Sequence, residues 1–305
     1  MNSGLNLRRS LGTAAGMILM LCSGRLLPAA ENPSAPQPPP AKIKVVILDG
    51  QNNHNWRATT PVIRSILEDS GRFTVAVATM PPAGDAREDF SLPLDDCKAV
   101  VSNYTDFGGL RAPKALLDKL TDWVAGGGGL VAIHAATAGL EHHGEFCRMI
   151  GLGWGGPNRG DRLAVDASGR VVRTPKGKGH GTGHGAHGPI DMTVWAADHP
   201  IVRGLPRTWR VLHDELWFAT RGPAEQLTVL ATGYSPRTKQ NEPILWTVRY
   251  GDGRVFVTLL GHDAKCMQDR GFQATLLRGS QWAATAEVTL PAPKNLPAIP
   301  KKPGT

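Results

Sequence analysis

The sequence has few of the residues that mark several common classes of protein. Four of its 305 residues are cysteine, and the three that follow residue 30 are too few for a disulfide framework, although a single bridge stays open. No G-x-G-x-x-G pattern follows the first predicted strand, so we expect no nucleotide cofactor. After residue 30, no stretch is long and apolar enough to span a bilayer.

The charge of the chain is moderate and dispersed. The formal net charge is +8 at pH 7, but Arg8, Arg9 and Arg25 lie in the first thirty residues, where no acidic residue occurs. The remaining 31 basic and 26 acidic residues are scattered and form no dense basic stripe. We therefore expect no nucleic-acid partner.

The first thirty residues have the pattern of an export signal. An arginine pair at residues 8–9 precedes a short apolar core at 11–22 and a small-residue cleavage site at 28–30. We predict a signal peptide at residues 1–30 and a periplasmic or secreted protein, with no membrane contact in its mature form. General secretory and twin-arginine export both fit this pattern, and an uncleaved anchor is the alternative.

The next hundred residues alternate between predicted strands and helices. This alternation indicates an α/β fold with a doubly wound, mostly parallel sheet and helices on both faces. The predicted strands are residues 43–48, 73–79, 99–102 and 130–133, and the predicted helices begin at Thr59 or Thr60 and at Pro113.

Several of these strands end at polar or ionisable residues. His134 directly follows an unbroken apolar run, and ligands of open α/β sheets bind outside the carboxyl ends of the strands. His134 is therefore a candidate catalytic residue, and the alternative is a half-buried histidine bonded to a loop. Asn53, His54 and Trp56 follow the first strand, and Tyr104 follows the third. Their planar hydrogen-bonding groups and aromatic rings suit a carbohydrate.

A long glycine-rich region at residues 151–188 carries three histidines. His180, His184 and His187 lie among glycines, which let the backbone fold tightly around a small object. Imidazole is a common ligand of transition metals, so the region predicts a contact with a metal or a substrate. The alternative is a surface loop without a ligand.

The C-terminal half adds further ionisable groups. His213, Asp214 and Glu215 stand together between apolar residues, and in an extended chain Asp214 would point away from the other two. Residues 243–260 read as a β-hairpin, which ends near His262. His262 thus lies at another strand exit.

Several motifs together resemble those of the ThuA-like (trehalose utilisation) family. The resemblance extends from about residue 42 to 284, and we predict a linker at 31–41, a domain at 42–285 and a Pro/Lys-rich tail at 286–305. The motifs are Gly-Leu-Val-Ala-Ile-His-Ala-Ala-Thr at 129–137, His-Pro-Ile at 199–201 with Gly-Leu-Pro at 204–206, Asp-Glu-Leu at 214–216, Gly-Arg-Val-Phe at 253–256 with Gly-His at 261–262, and Arg-Gly at 278–279 with Trp-Ala-Ala at 282–284.

The resemblance implies a flavodoxin-like fold similar to that of class I glutamine amidotransferases. To this fold we add the C-terminal hairpin and the long glycine-rich loop predicted above from the residues. His134 stands where those enzymes have their nucleophilic cysteine, so we expect no amidotransferase activity. The family name implies disaccharide catabolism, related proteins are linked to 3-keto sugars, and some members carry a divalent metal.

The same resemblance carries over to individual positions of this chain. His134, His184, His187, Glu215 and His262 match recurring polar positions of the family. We predict catalytic roles for His134, Glu215 and His262, and metal binding by His184 and His187. Asp214 also matches and would orient the loop or contact substrate. A mixed set of nitrogen and oxygen ligands suits one divalent transition metal such as Zn, Mn, Fe or Ni.

The sequence favours an enzyme over two other classes of protein. We expect proton-transfer, hydrolytic or eliminative chemistry on a (3-keto) sugar or glycoside, with the metal polarising a carbonyl, because so many ionisable groups fall at strand exits. The alternative is a non-catalytic carbohydrate-binding or sensing protein that uses Asn53, His54, Trp56 and Tyr104. A structural domain of a surface assembly is a third class.

Overall fold

One large mixed sheet organises residues 41–300, the part of the chain that the computed structural model describes. The predicted signal peptide and nearly all of the predicted linker lie outside the described residues, as do residues 301–305. No helix of the described part is long and apolar enough to cross a membrane.

The strands and helices follow one another along the chain without a repeat. The strands are β1 (Ile43–Asp49), β2 (Phe73–Thr79), β3 (Ala99–Ser102), β4 (Gly129–Ile133), β5 (Asp161–Val165), β6 (Val171–Thr174), β7 (Gly183–His184), β8 (Gly188–Val194), β9 (Thr208–Asp214), β10 (Trp217–Phe218), β11 (Arg221–Gly222), β12 (Leu227–Ser235), β13 (Gln240–Tyr250) and β14 (Gly253–Thr258). The α-helices are α1 (Trp56–Asp69), α2 (Asp85–Glu88), α3 (Lys114–Ala125), α4 (Gly144–Ile150) and α5 (Arg270–Thr285).

Five neighbouring strands of the sheet run parallel, in the order β2-β1-β3-β4-β14. The central strands β3 and β4 are buried along their whole length, which explains their unbroken apolar sequences. The α/β class and the central parallel sheet are therefore confirmed. The four strands predicted in the first half of the domain lie where the sequence places them.

The other half of the sheet is antiparallel. The predicted hairpin consists of β13 and β14, and the order continues from β14 through β13, β12 and β8 to β9. Because β14 also pairs in parallel with β4, the hairpin joins the two halves of the sheet. The predicted hairpin is present, but it forms part of the central sheet and is not an addition to it.

The glycine-rich region is more ordered than the sequence suggested. It was expected to be one long loop, but it contains the β5–β6 hairpin, β7 and the start of β8. The turn of this hairpin is closed by the Asp166 carboxylate, which accepts hydrogen bonds from the N–H groups of Ser168 and Arg170.

The helices pack in pairs against the sheet. Helix α1 contacts α5, helix α3 contacts α4, and members of both pairs contact the parallel strands. Helix α1 begins about one turn before the predicted start, because the Asn55 side chain caps the N–H of Ala58. This early start leaves only a short loop between β1 and α1, and His54 lies in it.

Candidate functional site

His134 is held in a strained position directly after β4. Its backbone φ is 46°, and its ring is 2% exposed. Nδ1 lies 2.6 Å from the carbonyl oxygen of Leu259. Since a carbonyl only accepts, Nδ1 carries the proton of the neutral ring and Nε2 is left as an acceptor. Burial lowers the pKa of His134 to about 3, so the ring is neutral near pH 7.

The carboxylate of Glu215 lies at the centre of the site. It follows β9, is 6% exposed and accepts a hydrogen bond of 2.7 Å from the indole N–H of Trp217. Four imidazoles lie within ion-pair distance of its two oxygens. These are His184 Nδ1 at 2.7 Å and His187 Nε2 at 4.0 Å from Oε1, and His134 Nε2 at 3.6 Å and His262 Nδ1 at 3.4 Å from Oε2.

The ionisation of Glu215 and His262 is coupled. Burial alone would raise the pKa of Glu215, but the contacts with His262 and Trp217, together with the nearby His134, outweigh burial and lower this pKa to about 2. Contact with Glu215 in turn raises the pKa of His262 above its ordinary value. Their 3.4 Å contact is an ion pair without good hydrogen-bond geometry, because His262 Nδ1 has no hydrogen-bond partner among the described residues.

His54 completes a group of three histidines at strand exits. Its ring centroid lies 4.1 Å from that of His262 and 5.1 Å from that of His134. Burial, followed by the nearby His262, lowers the pKa of His54 to about 4. The three imidazoles meet because β1, β4 and β14 are parallel and end at one edge of the sheet.

Asp214 positions two of these groups through the backbone. Its carboxylate is fully buried and accepts hydrogen bonds from the N–H groups of Glu215, Gly261 and His262. Burial raises its pKa, although the three N–H groups oppose the shift. Gly261 has φ of 94°, and an added Cβ would lie 2.6 Å from the ring of Phe272. Asp214 therefore fixes the loop that carries His262.

The glycine-rich segment is tied down before it reaches His184. The buried guanidinium of Arg221 donates to the carbonyl oxygens of Lys178 and His180. The hydroxyl of Thr182 donates to the carbonyl oxygen of Ala219 at 3.0 Å. Next, β7 pairs with β10, which sets His184 opposite Trp217. The loop histidines are thus anchored to the fold.

These groups border a cavity of about 270 Å³. This volume is close to the lower end of the range for ligand pockets, about 300–1,000 Å³, and suits a small molecule. The lining combines ionisable groups with three aromatic rings. Its members are Asn53, His54, Phe107, Ala138, Trp154, His184, Glu215, Trp217 and His262.

Comparison with known proteins identifies the family. The model of the ThuA family, described as trehalose utilisation, matches residues 44–283. The chain belongs to the ThuA family. A ThuA-like protein from Parabacteroides merdae ATCC 43184 is 36% identical, and the superposition covers 85% of this chain and 95% of that one, with a TM-score of 0.78.

A second ThuA-like structure, from Bacteroides uniformis ATCC 8492, shares the fold. It is 18% identical, the superposition covers 84% of this chain and 97% of that one, and the TM-score is 0.56. No curated protein matches the chain significantly. The resemblance seen in the sequence motifs is therefore confirmed at the level of the family.

Not every residue predicted for the site of this ThuA-family chain reaches the cavity. Trp56 lies in the first turn of α1, with the guanidinium of Arg57 over its ring at 4.3 Å. Tyr104 is 1% exposed, and its hydroxyl accepts a hydrogen bond from Arg87. Burial raises the pKa of Tyr104 to about 12. Trp56, Tyr104 and the buried Asp214 do not belong to the lining. The sequence predicts that these three residues bind substrate, and the structure places them outside the wall of this cavity.

His134 is also behind the wall of the cavity rather than in it. Its ring lies 4.7 Å from that of Trp217, which is part of the lining. We therefore expect His134 to act through a neighbouring atom rather than by direct contact with a substrate in this cavity.

Two aromatic residues of the lining were missed by the sequence analysis. Phe107 lies three residues after Tyr104 and is 41% exposed. Trp154 stands alone among glycines at 151–156, and its ring packs edge-on against Trp217 with centroids 4.9 Å apart. A single tryptophan among glycines is the sequence feature that could have indicated a residue of the cavity wall.

Several of the polar groups are arranged as metal ligands are. Ligand atoms of His54, His134 and His262 lie within 4.8 Å of one another, as do those of His187, Glu215 and His262. In the described part, His134 Nε2 and His262 Nδ1 are buried without a hydrogen-bond partner. Nε2 of neutral His134 and the Glu215 oxygen at 3.6 Å are both acceptors, so a proton or a cation between them would relieve their repulsion.

Proposed function

We propose that the protein is an enzyme that moves protons on a keto-sugar or a keto-glycoside. This proposal depends on one observation. The ionised Glu215, surrounded by imidazoles, forms part of the wall of a cavity that also presents three aromatic rings. The family description, trehalose utilisation, supports a carbohydrate as the substrate. The parallel order β2-β1-β3-β4-β14 supports the flavodoxin-like arrangement expected from the resemblance.

His184 is the residue we assign to proton transfer. It is 47% exposed, it lines the cavity, and Glu215 Oε1 lies 2.7 Å from its Nδ1. The Nδ1–H of His184 donates to the carbonyl oxygen of Gly185 at 2.9 Å, which orients the ring and leaves Nε2 free to take a proton. The short contact with a buried carboxylate also stabilises the imidazolium that forms.

The reaction that fits this pair begins at the carbon next to the ketone. The C–H bond breaks, the proton goes to His184 Nε2, and the electron pair forms an enolate. In a 3-keto glycoside the enolate then expels the glycosidic oxygen from the neighbouring carbon, and the imidazolium returns the proton to the departing alcohol. Delivery of the proton to the former carbonyl carbon instead, with the proton of the neighbouring hydroxyl moving to the former ketone oxygen, would give isomerisation.

A divalent transition metal fits the residues beside this pair. The neutral rings of His54 and His134, together with His262, would hold it, and Glu215 Oε2 lies 3.4–3.6 Å from the facing nitrogens of His262 and His134. Such nitrogen and oxygen ligands suit Zn, Mn, Fe or Ni. When bound, the ion would polarise the ketone oxygen and stabilise the enolate charge.

Exchange of hydrogen for deuterium tests the proposal directly. Methyl 3-keto-glucoside and 3-keto-trehalose are incubated with the protein in deuterated water, with and without chelator, and followed by proton NMR. We expect loss of the signal at the carbon next to the ketone and slower loss after chelation. The parent glycosides, which lack the ketone, are the control and should not exchange.

A non-catalytic carbohydrate-binding protein is the second candidate. It is favoured by Phe107, Trp154 and Trp217, because aromatic rings are common platforms for sugars. Saturable quenching of tryptophan fluorescence by keto-sugars, without any exchange or product, would support binding alone and contradict the enzyme.

Export is proposed separately, from the sequence of the first thirty residues. We infer cleavage after Ala30, so that the mature chain begins at Glu31. The intact mass of protein recovered from the envelope fraction of the native host measures this. Recovery of the full-length chain from the cytosol would overturn it.

A further inference from the structure

A second group of metal-ligating side chains lies beside the site. His187 precedes β8, His213 is the penultimate residue of β9, and Cys266 follows β14. Their ligand atoms lie within 4.8 Å of one another. We propose that these three residues form a second site, adjoining the first through His187, for a thiophilic divalent cation such as Zn²⁺.

The composition of this second group differs from that of the inner histidines. It supplies two nitrogens and one sulfur. It shares no residue with the group of His54, His134 and His262, and it shares His187 with the group of His187, Glu215 and His262. Thiolate and imidazole together select zinc, cobalt and cadmium over magnesium or calcium. We therefore expect this group to prefer thiophilic ions such as zinc, cobalt and cadmium. The inner site, with nitrogen and oxygen ligands, does not share this preference for thiophilic ions.

The fold holds the sulfur in place and leaves an entry for the ion. Cys266 is 1% exposed, and its N–H donates to the Asp263 carboxylate at 2.8 Å, which fixes the turn. The side chain of His187 is 27% exposed, so an ion can arrive from that side. The ring of His213 lies 5.2 Å from the ring of His187.

Occupation of the site would also have a structural effect. On binding, the S–H bond of Cys266 breaks, its proton leaves to solvent, and the thiolate binds the cation. The ion would then join the glycine-rich segment, strand β9 and the loop after β14 at one point. This inference does not depend on the carbohydrate chemistry proposed above.

Cobalt is a suitable probe, because a cobalt–thiolate bond has a near-ultraviolet charge-transfer band that nitrogen and oxygen ligands do not give. Protein prepared without a metal-affinity column is stripped with chelator and titrated with Co²⁺. We expect this band in the native protein and its loss in Cys266→Ser. We expect His213→Ala to weaken the affinity that the band reports by at least about tenfold, since even outer-shell partners contribute about 10–100-fold.

Matched variants separate this site from the others. Cys97→Ser and Cys147→Ser remove the other buried cysteines of the described residues and should keep the band. His134→Ala removes a ligand of the inner group and should also keep it, so failure of the inner metal proposal is distinguishable. Circular dichroism establishes folding, and His213→Ala is the second variant if Cys266→Ser does not fold. Absence of the band from folded, cobalt-saturated native protein, or its persistence in Cys266→Ser, would overturn the proposal.

Discussion

The histidines that follow strands and the histidines of the glycine-rich segment surround the same carboxylate but are built differently. His134 is 2% exposed and donates to a backbone carbonyl, and His262 is held by the backbone contacts of Asp214. His184 and His187 have side chains that are 47% and 27% exposed. The side chains of His134 and His184 are the two extremes, and those of His262, 20% exposed, and His187 lie between them.

This difference in exposure suits some of the histidines to metal binding and others to proton transfer. Desolvation keeps His54 and His134 neutral, which is the state that a metal ligand requires. A side chain that exchanges protons with substrate and solvent needs access, and His184 has it. Glu215 contacts both groups, so its removal is expected to have the largest effect.

Replacement of Glu215 by glutamine should abolish most activity. The amide cannot stabilise an imidazolium or offer an anionic oxygen, so we expect turnover of a verified keto-sugar to fall by about a thousandfold, within the usual range for proton-transfer groups. Initial rates in the deuterium-exchange assay measure this. Glu141→Gln, on the surface, is the matched control. Native rates in a folded Glu215→Gln protein would remove Glu215 from the mechanism.

Replacement of His134 by alanine should impair the inner group alone. The ring does not reach the cavity, and in our proposal it holds the metal. We therefore expect turnover to fall by about a hundredfold, together with the content of bound first-row metal. Elemental analysis and kinetics are measured on the same sample. His199→Ala removes a poorly exposed histidine that packs on Trp282, outside this site, and should keep the metal. Full metal content in His134→Ala would contradict the assignment.

Replacement of His184 by alanine should impair proton transfer and leave the inner histidines unchanged. We expect turnover to fall by at least about tenfold while the inner metal remains, because the variant removes only the proton-transfer group. His180→Ala changes an exposed histidine of the same segment and should behave like the native protein. Equal losses in the two variants would indicate that the segment, and not the imidazole, is responsible.

The smallest expected effect is on stability as a function of pH. The pKa of His134 is lowered to about 3 in the folded protein, whereas an unfolded histidine titrates near 6.5. Between these values the unfolded state binds more protons, so stability is lost as the pH falls below 6.5. The contribution of His134 approaches about 1.4 kcal/mol per pH unit.

Urea denaturation of chelator-treated protein from pH 7 to pH 4.5 measures this slope. His134→Gln should show a shallower dependence, because glutamine does not titrate. The same dependence in the variant and the native protein would mean that His134 is not the buried neutral group described here.

Much of the inner group could be predicted because it depends on local signals. Unbroken apolar runs predict buried strands, and His134 and His262 follow two of them. The sequence did not determine which strands are neighbours. Only the insertion of β14 beside β4 brings these two histidines together, and that contact is distant in sequence.

The cavity wall was less predictable, because it depends on the direction of single side chains. Side chains alternate in direction along an extended chain, so the sequence predicts that Asp214 and Glu215 point to opposite sides. It does not predict which of the two faces the cavity. Tyr104 and Phe107 are both aromatic residues after β3, and the loop turns the first into the core and the second outward. The glycine-rich segment concealed the β5–β6 hairpin because glycine weakens the pattern on which strand prediction depends.

The position of β14 has a consequence for the order in which the protein can fold. Among the described strands it is the last in the chain, yet it lies between β4 and β13 in the sheet. About 120 residues separate the end of β4 from the start of β14. At about 5–20 residues per second, ribosomal synthesis of that stretch takes on the order of ten seconds. During this time β4 has an unpaired edge of apolar residues, so a nascent or truncated chain that ends before Gly253 is exposed to aggregation.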